Sequence, residues 1–336
     1  MSSAPTADEI ARDATWLVQA LDPAAGTVRL VAMDPDSYRA ASFLDDRLMQ
    51  QPVDAQLVPW PEIEAAVAGA MRCDTRWIFH IGHVGSTLVS RLLGEIDGVL
   101  GIREPRILRD AALSPTEIRA RYIAPMPKLM SRTFGDGETA CVKATSFASE
   151  IAAELVPPGE RALFMFASPS NYVASILAGE NSVKELHALA EYREQRLAGR
   201  GIVLPPARNN AERAAAAWAC EMATLESAAA TMTDRSVEWA DFDAMLHDMA
   251  TGLRRVAKFL GFPDDAEAVD KIAQGPLMQR YSKDPNYEYS PSLREELIEQ
   301  ELRLQGRDIE GALAMLRKAA EDSPLLARAL RRAEGS

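Results

Sequence analysis

The stretch Trp77-Ile78-Phe79-His80-Ile81-Gly82-His83-Val84-Gly85-Ser86-Thr87 decides how this sequence is read. A short apolar run comes first, then a turn with two glycines, then Leu88, Leu92, Leu93 and Ile96 at helical spacing. An apolar strand feeding a tight turn and a helix is the opening of a βαβ unit. Gly82 and Gly85 let the turn fold with its N–H groups pointing inward, and the helix start adds free N–H groups and a partial positive charge. Such a turn suits an anion, phosphate above all. Ser86 and Thr87 either cap the helix or offer hydroxyls to that anion. The alternative is a plain strand-to-helix turn, and spacing alone does not choose between them. No lysine precedes Ser86 or Thr87, so the full Walker pattern is absent, which counts against an ordinary ATPase or GTPase.

Working outward, Val99–Ile102, Thr139–Lys143 and Ala162–Phe166 read as further strands, and Ser236–Ala240 as a fifth. Continuous apolar strands between helices suit a parallel sheet covered on both faces. Ala211–Met232 is rich in Ala, Glu and Met and predicts a long helix. Phe242, Met245, Leu246, Met249, Leu253, Val256 and Leu260 predict one apolar helix face, stopped at Gly261 and Pro263. Before the opening stretch, residues 1–72 read as helix, strand, helix, with a strand at Thr27–Met33 and a helix at Pro61–Met71. The expectation is an α/β protein of the P-loop type: three layers, a central parallel sheet in residues 73–290, an N-terminal lead-in over 1–72 and C-terminal helices over 291–336.

The chain has 336 residues and a net charge of −12, from 49 acidic and 37 basic residues. A broad nucleic-acid or anionic-membrane footprint is not expected, so any anionic ligand must be met by a local cluster of cations. The three cysteines, Cys73, Cys141 and Cys220, lack metal-ligand spacing and read as free thiols. No apolar run reaches the ~20 residues of a membrane helix, and no apolar leader core opens the chain, so a cytoplasmic location without integral membrane association is expected.

The strand, Gly82-His83-Val84-Gly85-Ser86-Thr87 and the helix that follows resemble the phosphosulfate-binding loop of sulfotransferases, usually Pro-Arg/Lys-Ser-Gly-Thr-Thr. Gly85, Ser86 and Thr87 fall on its Gly-Thr-Thr, and His83 falls on its catalytic cation. Pro169 and Ser175 resemble residues of the family's second nucleotide motif. Glu238–Phe242 through Phe259-Leu260-Gly261-Phe262-Pro263 resembles its later strand and helix. Arg280-Tyr281-Ser282-Lys283 resembles the late basic loop that closes over the nucleotide. The resemblance spans roughly residues 77–290. It departs at Ala167, where the family has a phosphate-binding Arg, and at Asn171, where an acidic residue is usual.

The resemblance implies transfer of a sulfuryl group from 3′-phosphoadenosine-5′-phosphosulfate (PAPS) to a hydroxyl or amine of a small-molecule or peptide acceptor, with no obligatory metal. It implies that Gly82 to Thr87, Ser175, Arg280, Tyr281 and Lys283 hold the nucleotide. His83 then donates to the leaving group, or is merely a turn histidine. Lys143, at the carboxyl end of its strand, supplies charge, or snorkels to the surface. Glu104 is the base for the acceptor, particularly if burial raises its pKa, or a surface carboxylate paired with Arg103 or Arg106. His80 reads as a core histidine, Arg294–Arg303 as a solvated helix face, and Thr145 and Ser146 as caps of the next helix. Two other functions stay open: a phosphotransferase, for which neither a loop lysine nor a metal-holding Asp is evident, and a binding protein that kept the fold and lost the chemistry, which Ala167 favours.

Overall fold

The computed structural model describes residues 5–69, 72–263, 265–279 and 291–335. Its strands are β1 (Trp16–Asp22), β2 (Thr27–Ala32), β3 (Ala55–Pro59), β4 (Arg76–His80), β5 (Val99–Arg103), β6 (Thr139–Lys143), β7 (Arg161–Phe166) and β8 (Ser236–Asp241). The apolar runs are strands because both of their faces are covered: β5 is buried along its whole length, and β4, β6 and β7 are buried after their first residue. They pair in the order β5-β6-β4-β7-β8, all parallel. From β4 the chain runs out to β5 and later crosses back past β4 to β7. The turn after β4 therefore opens at the middle of the sheet, where ligands of open α/β sheets sit.

The N-terminal segment adds an antiparallel sheet, β1-β2-β3, of which only β2 was expected. Buried Arg103 links it to the core by donating to the carbonyls of Tyr38, Ala41 (2.8 Å) and Arg39 (3.3 Å). The expected single helix from Phe242 to Leu260 is two, Phe242–His247 and Met249–Leu260. Asp248 divides them because its carboxylate accepts the Thr251 N–H and starts the second helix. Gly261 ends that helix in the left-handed conformation, φ +75°, as expected. Three helices, Pro291–Leu304, Gly306–Glu321 and Pro324–Glu334, close the chain. Arg280, Tyr281 and Lys283 lie outside the described residues.

Two helices meet at the opening turn. A Cβ built on Gly85 lies 1.9 Å from the Phe242 ring, and Gly85 itself has φ +59°. A Cβ on Gly82, at φ +80°, meets nothing within 4 Å. Gly85→Ala is therefore expected to destabilise the fold by about 3 kcal/mol or more, and Gly82→Ala by about 1–2 kcal/mol. Urea unfolding of the two variants checks the ordering.

Candidate active site

The carboxyl ends of β4, β5 and β6 and the turn after β4 enclose a cleft of about 360 Å³. Gly82, His83, Val84, Gly85, Ser86 and Thr87 line one wall, and Glu104, Lys143 and His80 the other. The sequence-predicted loop, base and cation are thus brought into one cavity. Thr145, Ser146 and Phe147 lie beside Lys143, while Phe43, Arg47 and Arg109 form part of the rim.

The turn is built from left-handed residues: Gly82 at φ +80°, His83 at φ +53° and Gly85 at φ +59°. Gly85 occupies the N-cap of the helix Ser86–Leu93 and provides no side-chain acceptor. Ser86 and Thr87 are therefore not caps; they stand buried in the first helical turn. A helix start capped only by glycine keeps its N–H groups available to an external anion. His83 is half-buried, with its ring 3.5 Å from the Ser182 hydroxyl.

Among the described residues, only His83 and Glu104 are non-glycine residues with positive φ, and both line this cleft. Such strain persists where the surroundings over-determine it. At Glu104, φ +52°, the N–H still makes the ladder bond to the Lys143 carbonyl at 2.7 Å, directly past the paired residues Arg103 and Lys143, and the chain leaves the extended conformation at the Cα that follows. With this backbone conformation the Glu104 side chain meets Lys143.

Lys143 is buried and ion-paired with Glu104, so it does not snorkel, and Glu104 does not pair with Arg103 or Arg106. Burial pushes the Glu104 carboxyl up, but the Lys143 ammonium, then His80, outweigh it and hold the pKa well below the ordinary carboxylate value. The expectation of a raised pKa is corrected accordingly. His80 Nε2 stands 3.7 Å from the same carboxylate oxygen, and Arg47 Nη2 lies 3.6 Å from the other. Arg47 also stacks on Phe43, 3.3 Å from the ring centre, and Arg109 lies over Phe147.

Ser175 is not in the cleft. It lies on the helix Pro169–Leu177, on the other side of the turn, where its hydroxyl accepts from Arg294 Nη1 at 3.1 Å. The same guanidinium reaches the His83 carbonyl at 3.5 Å and pairs with Asp243 at 3.1 Å. Asp243 in turn accepts from Asn171 at 2.9 Å. Arg294 is therefore part of the loop's support and not of a solvated face. Ala167 is fully buried, with Trp218 donating to its carbonyl at 3.0 Å, so an arginine has no room there. The sequence reading missed His80, Arg47 and Arg294. A polar residue closing an apolar strand beside the glycine turn was the signal for His80; the two arginines carry none, since their neighbours come from distant segments.

Neither a protein-family model nor a curated protein matches this chain. Solved structures similar to it include sulfotransferases. The sulfotransferase domain from the curacin biosynthetic pathway is 12% identical, with 70% of this chain and 98% of that one covered and a TM-score of 0.42. A mouse sulfotransferase complexed with PAP is 12% identical over 77% and 89%, TM-score 0.40. A sulfotransferase from Alicyclobacillus acidocaldarius is 17% identical over 72% and 96%, TM-score 0.36. At such scores the likeness carries no weight for function, which has to come from the cleft. No helix among the described residues is long and apolar enough to cross a membrane.

Removing one member of a buried ion pair strands the other. Lys143→Met is expected to cost about 3 kcal/mol, and Lys143→Met with Glu104→Gln to recover most of it. Because the folded-state pKa of Glu104 is depressed, its contribution is present above the ordinary carboxyl value of 4.5 and lost as pH falls below it. Glu104→Gln should accordingly flatten the acid limb of the stability curve, read by urea unfolding at stepped pH.

Proposed function

We propose that the cleft binds the phosphosulfate end of PAPS and transfers its sulfuryl group to a hydroxyl or amine of a small-molecule or peptide acceptor. One observation carries this reading: a left-handed glycine turn at a helix start shares a cavity with a buried lysine held by a glutamate. The turn N–H groups after Gly82, whose own N–H donates to His80, would hold the phosphate and sulfate oxygens, with Ser86 and Thr87 in the first helical turn beside them.

Sulfuryl transfer breaks the sulfur–oxygen bond to the phosphate and forms a sulfur–oxygen bond to a hydroxyl acceptor or a sulfur–nitrogen bond to an amine, and adenosine bisphosphate leaves with the electron pair. As charge grows on the leaving oxygen, the Lys143 ammonium is drawn towards it and away from Glu104. The carboxylate then loses the counter-ion that depresses its pKa and becomes basic enough to take the acceptor's proton. Glu104 is thus a base only in the transition state, and His83 is a donor to the leaving group. Ser175 and Arg294 would meet the nucleotide's second phosphate, Arg294 standing in for the cation that Ala167 lacks. On this reading residues 1–72 lend Arg47 to a core of 73–290, and the helices of 291–336 lend Arg294. Arg280, Tyr281 and Lys283 remain candidates for closing over the nucleotide. Ala167 also favours a second reading, a protein that binds the nucleotide but no longer turns it over.

Adenosine bisphosphate at 100 times its Kd should stabilise the protein by about 2.7 kcal/mol, and Mg-ATP should not. Arg294→Ala should weaken that binding about tenfold or more. Lys143→Met should lower the rate of sulfuryl release from PAPS by about 10²–10³ while changing Kd only a few-fold. No stabilisation of the wild type would overturn the proposal, and stabilisation without any turnover would leave the second reading in its place.

A further inference from the structure

His80 closes β4, the central strand, and is 5% exposed. A buried histidine needs a partner for each ring nitrogen, and its two neighbours here belong to the two walls of the cleft. On one side Nδ1 accepts the Gly82 N–H at 3.0 Å. An accepting Nδ1 puts the ring proton of the neutral imidazole on Nε2. On the other side Nε2 stands 3.7 Å from Glu104 Oε1, the oxygen that is ion-paired with Lys143. One ring thus reaches the first glycine of the turn and the carboxylate of the buried pair.

The bond to Gly82 has a consequence for the turn. The Gly82 N–H is directed back to the protein and is not available to an anion, so its task is to hold the turn's entry. Gly82 and His83 both have positive φ, and the turn continues through Val84 to Gly85, again at positive φ. A glycine is free to leave that conformation, and the Nδ1 bond opposes its leaving. The side facing Glu104 does the corresponding work for the base. Glu104 also has positive φ, and Nε2 faces its carboxylate at 3.7 Å, an electrostatic contact longer than a direct hydrogen bond.

We propose that His80 is a positioning residue of the site, aligning the anion-binding turn through Nδ1 and the Glu104 carboxylate through Nε2. This rests on the sulfuryl-transfer reading above. Two variants separate the nitrogens. His80→Asn keeps an acceptor near the position of Nδ1 and removes the Nε2 donor. His80→Gln reaches the position of Nε2 and loses the acceptor for Gly82.

The experiment is calorimetric titration of wild type, His80→Asn and His80→Gln with adenosine bisphosphate, with urea unfolding of each in parallel. Long-range proton–nitrogen correlation spectra of histidine-labelled wild type accompany it, and with only four histidines in the chain the signals can be assigned by substitution. The expected result is an Nε2–H tautomer at His80, near-native affinity in His80→Asn and an affinity about tenfold weaker in His80→Gln at comparable stability. Release of sulfate from PAPS should fall in His80→Asn as well, with Kd unchanged, because the Glu104 side is lost. Equal affinities in the two variants, or an Nδ1–H tautomer, would overturn the role of His80 while leaving the nucleotide site standing. A wild type that does not bind adenosine bisphosphate would overturn both.

Discussion

An ammonium buried at the mouth of a parallel sheet has to be neutralised in place, and here one carboxylate does it. Lys143 ends β6 inside an apolar run, where an unpaired charge would cost several kcal/mol. Glu104 supplies the counter-charge only because its backbone takes the left-handed conformation just past β5. Its own N–H bonds the Lys143 carbonyl, so the same two residues meet through backbone and side chain at the ends of neighbouring strands.

The turn after β4 is constrained from both sides by different parts of the chain. Inside the cleft, His80 receives the Gly82 N–H and faces Glu104. Outside it, Phe242 lies on Gly85 so closely that only glycine fits, and Arg294 reaches the His83 carbonyl from the first of the C-terminal helices. The N-terminal segment contributes Arg47 through Phe43, and Arg103 ties that segment to the core through backbone carbonyls. In a chain of net charge −12 the cleft lining is balanced, with Arg47, Arg109 and Lys143 against Asp45, Glu104 and Glu185, and Arg294 stands behind the turn. Local placement of cations, rather than overall charge, sets what such a site attracts.

The parallel sheet was legible because buried strands announce themselves as short, continuous apolar runs: β4 to β8 lie within a residue of where the sequence placed them. The turn was legible because its glycines are local requirements. β1 and β3 were not, since Gln19 and the exposed Leu57 interrupt their pattern and a half-covered antiparallel sheet carries less apolar signal. The break at Asp248 was hidden because the apolar spacing runs through it while a side-chain cap decides the boundary.

The amino-acid sequence by itself determined the α/β class, the strand–glycine turn–helix unit and the candidates His83, Glu104 and Lys143, because each depends on residues adjacent in the chain. Tertiary structure alone decided that Glu104 is held as a carboxylate by Lys143, that His80 stands between the turn and that pair, and that Arg294 stands at Ser175 while Ala167 provides no cation. The reason is physical: electrostatic state and hydrogen-bond partnership are set by groups within a few ångströms in space, and here those groups come from segments as much as 211 residues apart.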